Sequence, residues 1–124
     1  MPGRVVDASV VAAMAFEEPN AREAASLVEG YDLSAPTVLH YELASVALKK
    51  ARRYPSQREA IAGGLRAALN LNVRWVDVDY IATLRLALDT GLSTYDASYL
   101  YVARTLSLPL VTFDVRLRRA TGIA

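Results

Sequence analysis

The chain has 124 residues, 53% of them hydrophobic and 22% charged, with a net charge of +1. That size and balance suit a single domain, residues 1–124, with one core; they exclude a disordered chain, and the uncharged stretches are too short and too polar for a membrane span. Cysteine is absent, which removes disulfides, zinc–thiolate sites and cysteine nucleophiles together. No basic segment followed by an apolar block and a cleavage site opens the sequence, so a cytoplasmic protein is the expectation.

Short β-type runs alternate with longer helical ones. Val5-Val6 reads as the core of a first strand, and a helix follows to about Phe16, where Glu17-Glu18-Pro19-Asn20 breaks it. Asn20 is placed to cap a second helix from Ala21 to Glu29, which Gly30 ends. Tyr31 to Ser34 reads as a short strand. Pro36 suits a first helical turn, and the helix carrying Glu42 runs to about Arg53. The next helix starts at Pro55 or Ser56 and contains Gly63-Gly64. Each glycine costs about 1 kcal/mol relative to alanine in a helix interior, so a kink or a close helix contact is expected there. Val73 to Val78 alternates like a strand, and Asp79 caps a helix that ends at Gly91. Ser93 or Thr94 caps the helix carrying Asp96, which ends near Ser107. Pro109 to Phe113 is a further strand, and a short last helix runs from near Asp114 to Gly122. Strands alternating with helices imply a parallel sheet covered on both faces.

Four acids stand out. Asp7 and Asp114 each close an apolar run, Asp96 opens an apolar helix, and Glu42 interrupts the apolar side of another. Taken singly, Asp7 and Asp114 can be helix N-caps, and Asp96 can answer a helix dipole. Glu42 is harder to explain that way. Its neighbours three and four residues away are Val38, Leu39, Ser45 and Val46, with no cation among them, and a lone carboxylate on the core side is costly unless paired or metal-linked. In an open α/β sheet, ligands bind outside the carboxyl ends of the strands at a topological switch point. If the strands before Asp7 and Asp114 are neighbours, the two carboxylates share that crevice. Together the four make a pocket that calls for Mg²⁺ or Mn²⁺, with phosphodiester hydrolysis as the leading chemistry. Ser9 and Thr112 are placed to hydrogen-bond a carboxylate or a metal-bound water; local capping is the competing reading.

Basic residues cluster at Lys49, Lys50, Arg52 and Arg53, and again at Arg116, Arg118 and Arg119. Each cluster reads equally as a solvated face or as a set of phosphate contacts. His40 is the only histidine, so a histidine-pair ribonuclease is excluded within one chain, and His40 itself reads as a surface or interface residue. Asp77 and Asp79 are explained as strand end and cap. Tyr95, Tyr99 and Tyr101 follow the pattern of a packed helix and read as core or subunit interface.

Other α/β chemistries fit less well. A receiver domain needs a lysine near the last strand, and the only lysines are Lys49 and Lys50. Gly63-Gly64 lacks the context of a phosphate-binding loop. Haloacid-type phosphatases carry Asp-x-Asp after the first strand, where this chain has Asp7-Ala8-Ser9.

The motifs Val6-Asp7-Ala8-Ser9, Tyr41-Glu42-Leu43 after a proline, Tyr95-Asp96-Ala97-Ser98-Tyr99-Leu100 and Val111-Thr112-Phe113-Asp114 occur in the order and contexts of the PIN domain. The chain most resembles VapC-type toxins of toxin–antitoxin pairs, along essentially its whole length. The resemblance implies a three-layer α/β/α sandwich with a mainly parallel sheet of four to five strands. It implies a Mg²⁺- or Mn²⁺-dependent endoribonuclease that hydrolyses RNA with a metal-activated water. The family's acidic quartet carries over to Asp7, Glu42, Asp96 and Asp114, and its hydroxyl to Thr112. A homodimer and a small VapB-like antitoxin that blocks the cleft are also implied. Two readings stay open beside it: a non-catalytic dimeric interaction or RNA-binding module, and an RNA-processing nuclease with no antitoxin. Many relatives continue into another strand after the last helix, whereas this sequence stops at Gly122-Ile123-Ala124, so that edge strand is expected to be missing or reduced. The high apolar content points to a subunit interface, expected around the helices of Glu42 and Gly63-Gly64.

Overall fold

The computed structural model describes residues 1–122. Ile123 and Ala124, on which the further edge strand would fall, lie outside the described residues. Four strands, β1 (Gly3–Val6), β2 (Asp32–Pro36), β3 (Val73–Val76) and β4 (Leu110–Val111), form one sheet in the order β3-β2-β1-β4. Every pairing is parallel. The helices are α1 (Ala8–Ala15), α2 (Ala21–Val28), α3 (Val38–Arg53), α4 (Arg58–Leu69), α5 (Tyr80–Thr90), α6 (Thr94–Leu106) and α7 (Val115–Ala120), with a 3₁₀ turn at Pro55–Gln57 before α4.

The strand order decides which face each helix covers. The chain steps from β1 to β2 to β3 in one direction, then returns across the sheet to β4. Parallel crossovers are right-handed, so α1–α4 must lie on one face and α5 and α6 on the other, where α7 packs against α6. The packing agrees: α1 meets α2, α3 and α4, while α6 meets α5, α7 and the strands β1, β2 and β4. The sheet is thus the middle of three layers. Val5 and Val6, adjacent in the central strand and pointing to opposite faces, are both fully buried, as a strand covered on two sides requires.

Most helix ends follow the expected local chemistry. Asp79 Oδ1 accepts from the amides of Ile81 and Ala82, both at 3.0 Å. Gly91 ends α5 in the left-handed region, at φ 74°, where glycine carries no Cβ penalty. Ser93 Oγ accepts from the Asp96 amide at 3.1 Å and starts α6.

Four local expectations change. Pro36 ends β2 rather than opening a helix: its ring fixes φ near the extended range and its missing N–H is tolerated at a strand end. Asn20 occupies the N-cap position of α2 but makes no side-chain capping bond. β3 stops at Val76 and β4 spans only Leu110–Val111; among the described residues each pairs with one strand, β2 and β1 respectively.

Gly63-Gly64 marks a close helix contact inside the chain. A Cβ at Gly64 would collide with the Ala15 carbonyl oxygen at the end of α1, whereas nothing lies within 4 Å of one at Gly63. Gly64→Ala is therefore expected to lower stability by about 1–3 kcal/mol, the usual cost of overpacking. Gly63→Ala should raise it by up to about 1 kcal/mol through helix propensity. Thermal or urea denaturation of the two variants checks the contrast, and equal effects would remove the contact as the reason for Gly64.

Candidate active site

The sheet topology sets β1 and β4 side by side at the point where the strand order reverses, with Val6 opposite Val111. The residues that follow each strand therefore meet at the carboxyl edge of the sheet. Asp7 is both the N-cap of α1, accepting from the Val10 amide, and a wall of a cleft of about 450 Å³. Asp114 likewise caps α7, accepting from the Leu117 amide at 2.9 Å, and lines the same cleft. The capping role and the site role coincide, because a cap side chain at a strand end already stands in the crevice. Glu42 from α3 and Asp96 from α6 complete the lining. All four predicted acids thus converge.

Two hydroxyls tie the strand ends together. Thr112 Oγ1 donates to Asp7 Oδ2 at 2.6 Å and accepts from the Asp114 amide at 2.9 Å. Ser9 Oγ donates to Asp7 Oδ1 at 2.7 Å and accepts from the Phe113 amide at 2.9 Å. Both oxygens of the buried Asp7 carboxylate are therefore oriented, while each keeps lone-pair capacity towards the cleft.

Glu42 has a partner, Tyr99, that the sequence pattern assigns to core or subunit interface rather than to the site. The hydroxyl of Tyr99, itself 1% exposed, donates to Glu42 Oε1 at 2.6 Å. Tyr99 lies three residues after Asp96 in α6, hence on the same helix face; that spacing was the available signal. Glu18 and Asn20 also line the cleft. They belong to the break between α1 and α2, and no periodicity points to them.

The electrostatics are those of a site short of positive charge. Burial holds the Asp7 carboxyl above its usual value, opposed by its hydrogen bonds from Thr112, Ser9 and Val10 and reinforced by the Asp96 charge. Burial also raises Glu42, offset by the Tyr99 hydrogen bond and reinforced by Asp96 and Asp7. Asp96 is raised by burial and then by Asp114, with Ser93 and Arg116 pulling the other way. Burial, and next the Glu42 charge, keeps the Tyr99 hydroxyl protonated.

Of the predicted basic contacts, Lys49 lines the cleft and Arg116 stands close enough to Asp96 to moderate its charge. Lys50 is drawn to Glu18 at 3.7 Å. Arg118 donates to the Thr112 carbonyl at 2.8 Å, bracing the site from its backbone side. Arg52 and Arg53 are exposed at the end of α3, the Arg53 guanidinium lying 5.4 Å from the Tyr54 ring centre. Arg119 is exposed and borders a separate depression with Arg116. His40 is half-buried, its ring centre 4.0 Å from that of Trp75.

Among the described residues no three carboxylate or imidazole groups stand close enough to grip one ion directly. The donor set is nonetheless the right kind for a hard cation. It is all oxygen, and Mg²⁺ keeps several of its waters while taking one or two carboxylates. Like charges raising one another's pKa are what such an ion relieves.

Comparison with known proteins agrees with this fold. A search of curated proteins found no match. Among solved structures, PAE2754 from Pyrobaculum aerophilum superposes with a TM-score of 0.79 at 29% identity, over 99% of this chain and 82% of that one. VapC20 of Mycobacterium tuberculosis, described as a toxin that cleaves the sarcin-ricin loop, superposes with a TM-score of 0.68 at 16% identity, over 95% of each chain. The family model for the PIN domain matches residues 4–123, nearly the whole length, and the chain belongs to the PIN domain family.

Proposed function

We propose that this protein is a Mg²⁺- or Mn²⁺-dependent endoribonuclease of the VapC toxin type, acting through Asp7, Glu42, Asp96 and Asp114. The observation that carries the reading is the convergence of these four acids, from four separate parts of the chain, in one cleft at the switch point of the sheet. PIN domains are generally nucleases, and membership in that family supports the same chemistry.

Asp7, Asp96 and Asp114 would hold the cation, with Glu42 binding directly or through water. When bound, the ion lowers the pKa of a coordinated water and offsets charge on the phosphate. The chain's own residues orient these groups. Ser9 and Thr112 hold the Asp7 carboxylate, and Tyr99 holds that of Glu42. Lys49 and Arg116 are the side chains best placed to meet RNA phosphates.

A small antitoxin offering an arginine to the acidic cleft would match its charge. A homodimer is part of the proposal. Gly64 is used up by contact with α1, but Ile81, Leu84 and Leu88 leave an exposed apolar stripe on α5. Their spacing puts them on one helix face, which is the better surface for a second copy. Among the described residues no helix is long and apolar enough to cross a membrane.

The test is cleavage of a structured RNA by the purified protein with Mn²⁺ and with chelator, followed by analysis of the new ends. Attack by water leaves a 5′-phosphate and a 3′-hydroxyl. A 2′,3′-cyclic phosphate, or cleavage that persists in chelator, rejects the proposed chemistry.

A further inference from the structure

A second cavity, about 730 Å³, is walled by different residues of the same two helices that line the acidic cleft. Glu42 and Asp96 face the cleft, while their chain neighbours Tyr41 and Tyr95 face the cavity. The rim is aromatic and open to solvent. Tyr41 is 82% exposed, Tyr80 80% and Tyr95 62%. His40, backed by Trp75, adds a fourth ring.

We propose that this cavity binds a nucleobase of single-stranded RNA next to the phosphate held in the acidic cleft, stacked on Tyr41 and Tyr95. This deepens the nuclease reading and rests on it for the neighbouring phosphate. Three features of the cavity select a base. Among the described residues its lining contains no lysine or arginine, and Asp77 is part of it, so it disfavours phosphate. Its exposed rings offer stacking faces, which take any base that is free of a duplex. Adjacent residues on α3 and α6 join it to the cleft, so one strand can place a phosphate in one and a base in the other.

Asp77 also gives the cavity a preference. It has no hydrogen-bond or ion-pair partner among the described residues, and a carboxylate only accepts. It therefore favours a base that presents an amino group, such as cytosine, over uracil.

Free nucleosides test the cavity without the cleft, because they carry no phosphate and need no metal. Trp75 is the only tryptophan and stands behind His40, so its fluorescence reports occupancy. Cytidine and then uridine are titrated into the metal-free protein and into Tyr41→Ala, Tyr95→Ala and Asp77→Asn. These side chains are exposed, so the variants keep the fold. The expected result is saturable binding of cytidine over uridine, about tenfold weaker in each tyrosine variant, with the preference lost in Asp77→Asn. On a short single-stranded RNA with Mn²⁺, the tyrosine variants should raise KM about tenfold with kcat little changed. Cleavage with an unaltered KM and no nucleoside response overturns the base site and leaves the nuclease standing. Nucleoside binding without cleavage of any RNA overturns the nuclease reading instead. Tyrosine variants that dissociate an oligomer in sedimentation, with nucleoside binding unchanged, would reassign the cavity to a contact between copies.

Discussion

Replacing Asp96 by asparagine is expected to reduce Mn²⁺-dependent RNA cleavage on the order of 10²–10³-fold with the fold intact. The amide keeps the shape of the side chain and removes its charge. Asp96 lies half-buried in the first turn of α6, where its backbone amide donates to the Ser93 cap, a bond the substitution leaves in place. The start of the helix therefore survives. The cleft loses one of the charges that would hold the cation, and charge stabilisation by a metal is worth several kcal/mol at about 1.4 kcal/mol per decade of rate. Asp7→Asn should do the same, since asparagine is as good an N-cap as aspartate. The Thr112 hydroxyl, now facing an amide N–H, can rotate to accept from it. Calorimetric titration of Mn²⁺ and single-turnover cleavage should fall together in both variants, with an unchanged circular dichroism spectrum. Full activity in either variant would remove the quartet from the chemistry.

The second large effect concerns stability. Asp7, Glu42 and Asp96 all have carboxyl groups raised above their ordinary values of 3.8 for Asp and 4.5 for Glu, burial being the first cause in each. Between those ordinary values and the raised ones, the native state binds more protons than the unfolded chain. These groups therefore add stability at low pH and withdraw it as pH rises through their folded values. In chelator, lowering the pH towards the ordinary carboxyl values should raise the melting temperature of the wild type relative to Asp7→Asn, which has one fewer buried acid. Cation binding should have the same sign at neutral pH. At a hundred times its Kd, Mn²⁺ contributes about 2.7 kcal/mol, a rise on the order of 10 °C for a domain this size. A wild-type melting temperature indifferent to both pH and metal would contradict the strained acidic cleft.

Tyr99 illustrates how a core position can serve a site. Its ring is buried with Leu100 and Val102 in α6, and only its hydroxyl reaches Glu42. Tyrosine is suited to this, having an apolar body and a polar tip. The bond explains how a carboxylate on the core side of α3 is tolerated without a nearby cation.

Local chemistry in the sequence determined much of this protein. Apolar runs, caps at Asp7, Asp79, Ser93 and Asp114, and the stop at Gly91 marked elements whose bonds span only a few residues. The four acids were legible because each broke an otherwise apolar pattern, and the ordered motifs carried the family. Tertiary structure alone decided the rest. It set β1 beside β4 and so gave Asp7 its Thr112 partner 105 residues away. It brought Tyr99 to Glu42 across 57 residues, drew Glu18 into the cleft, and split the tyrosines between a core and an exposed rim. Helical and strand periodicity record which face of an element is apolar. They do not record which element that face will meet, and a hydrogen bond between distant residues leaves no periodic trace in either of them.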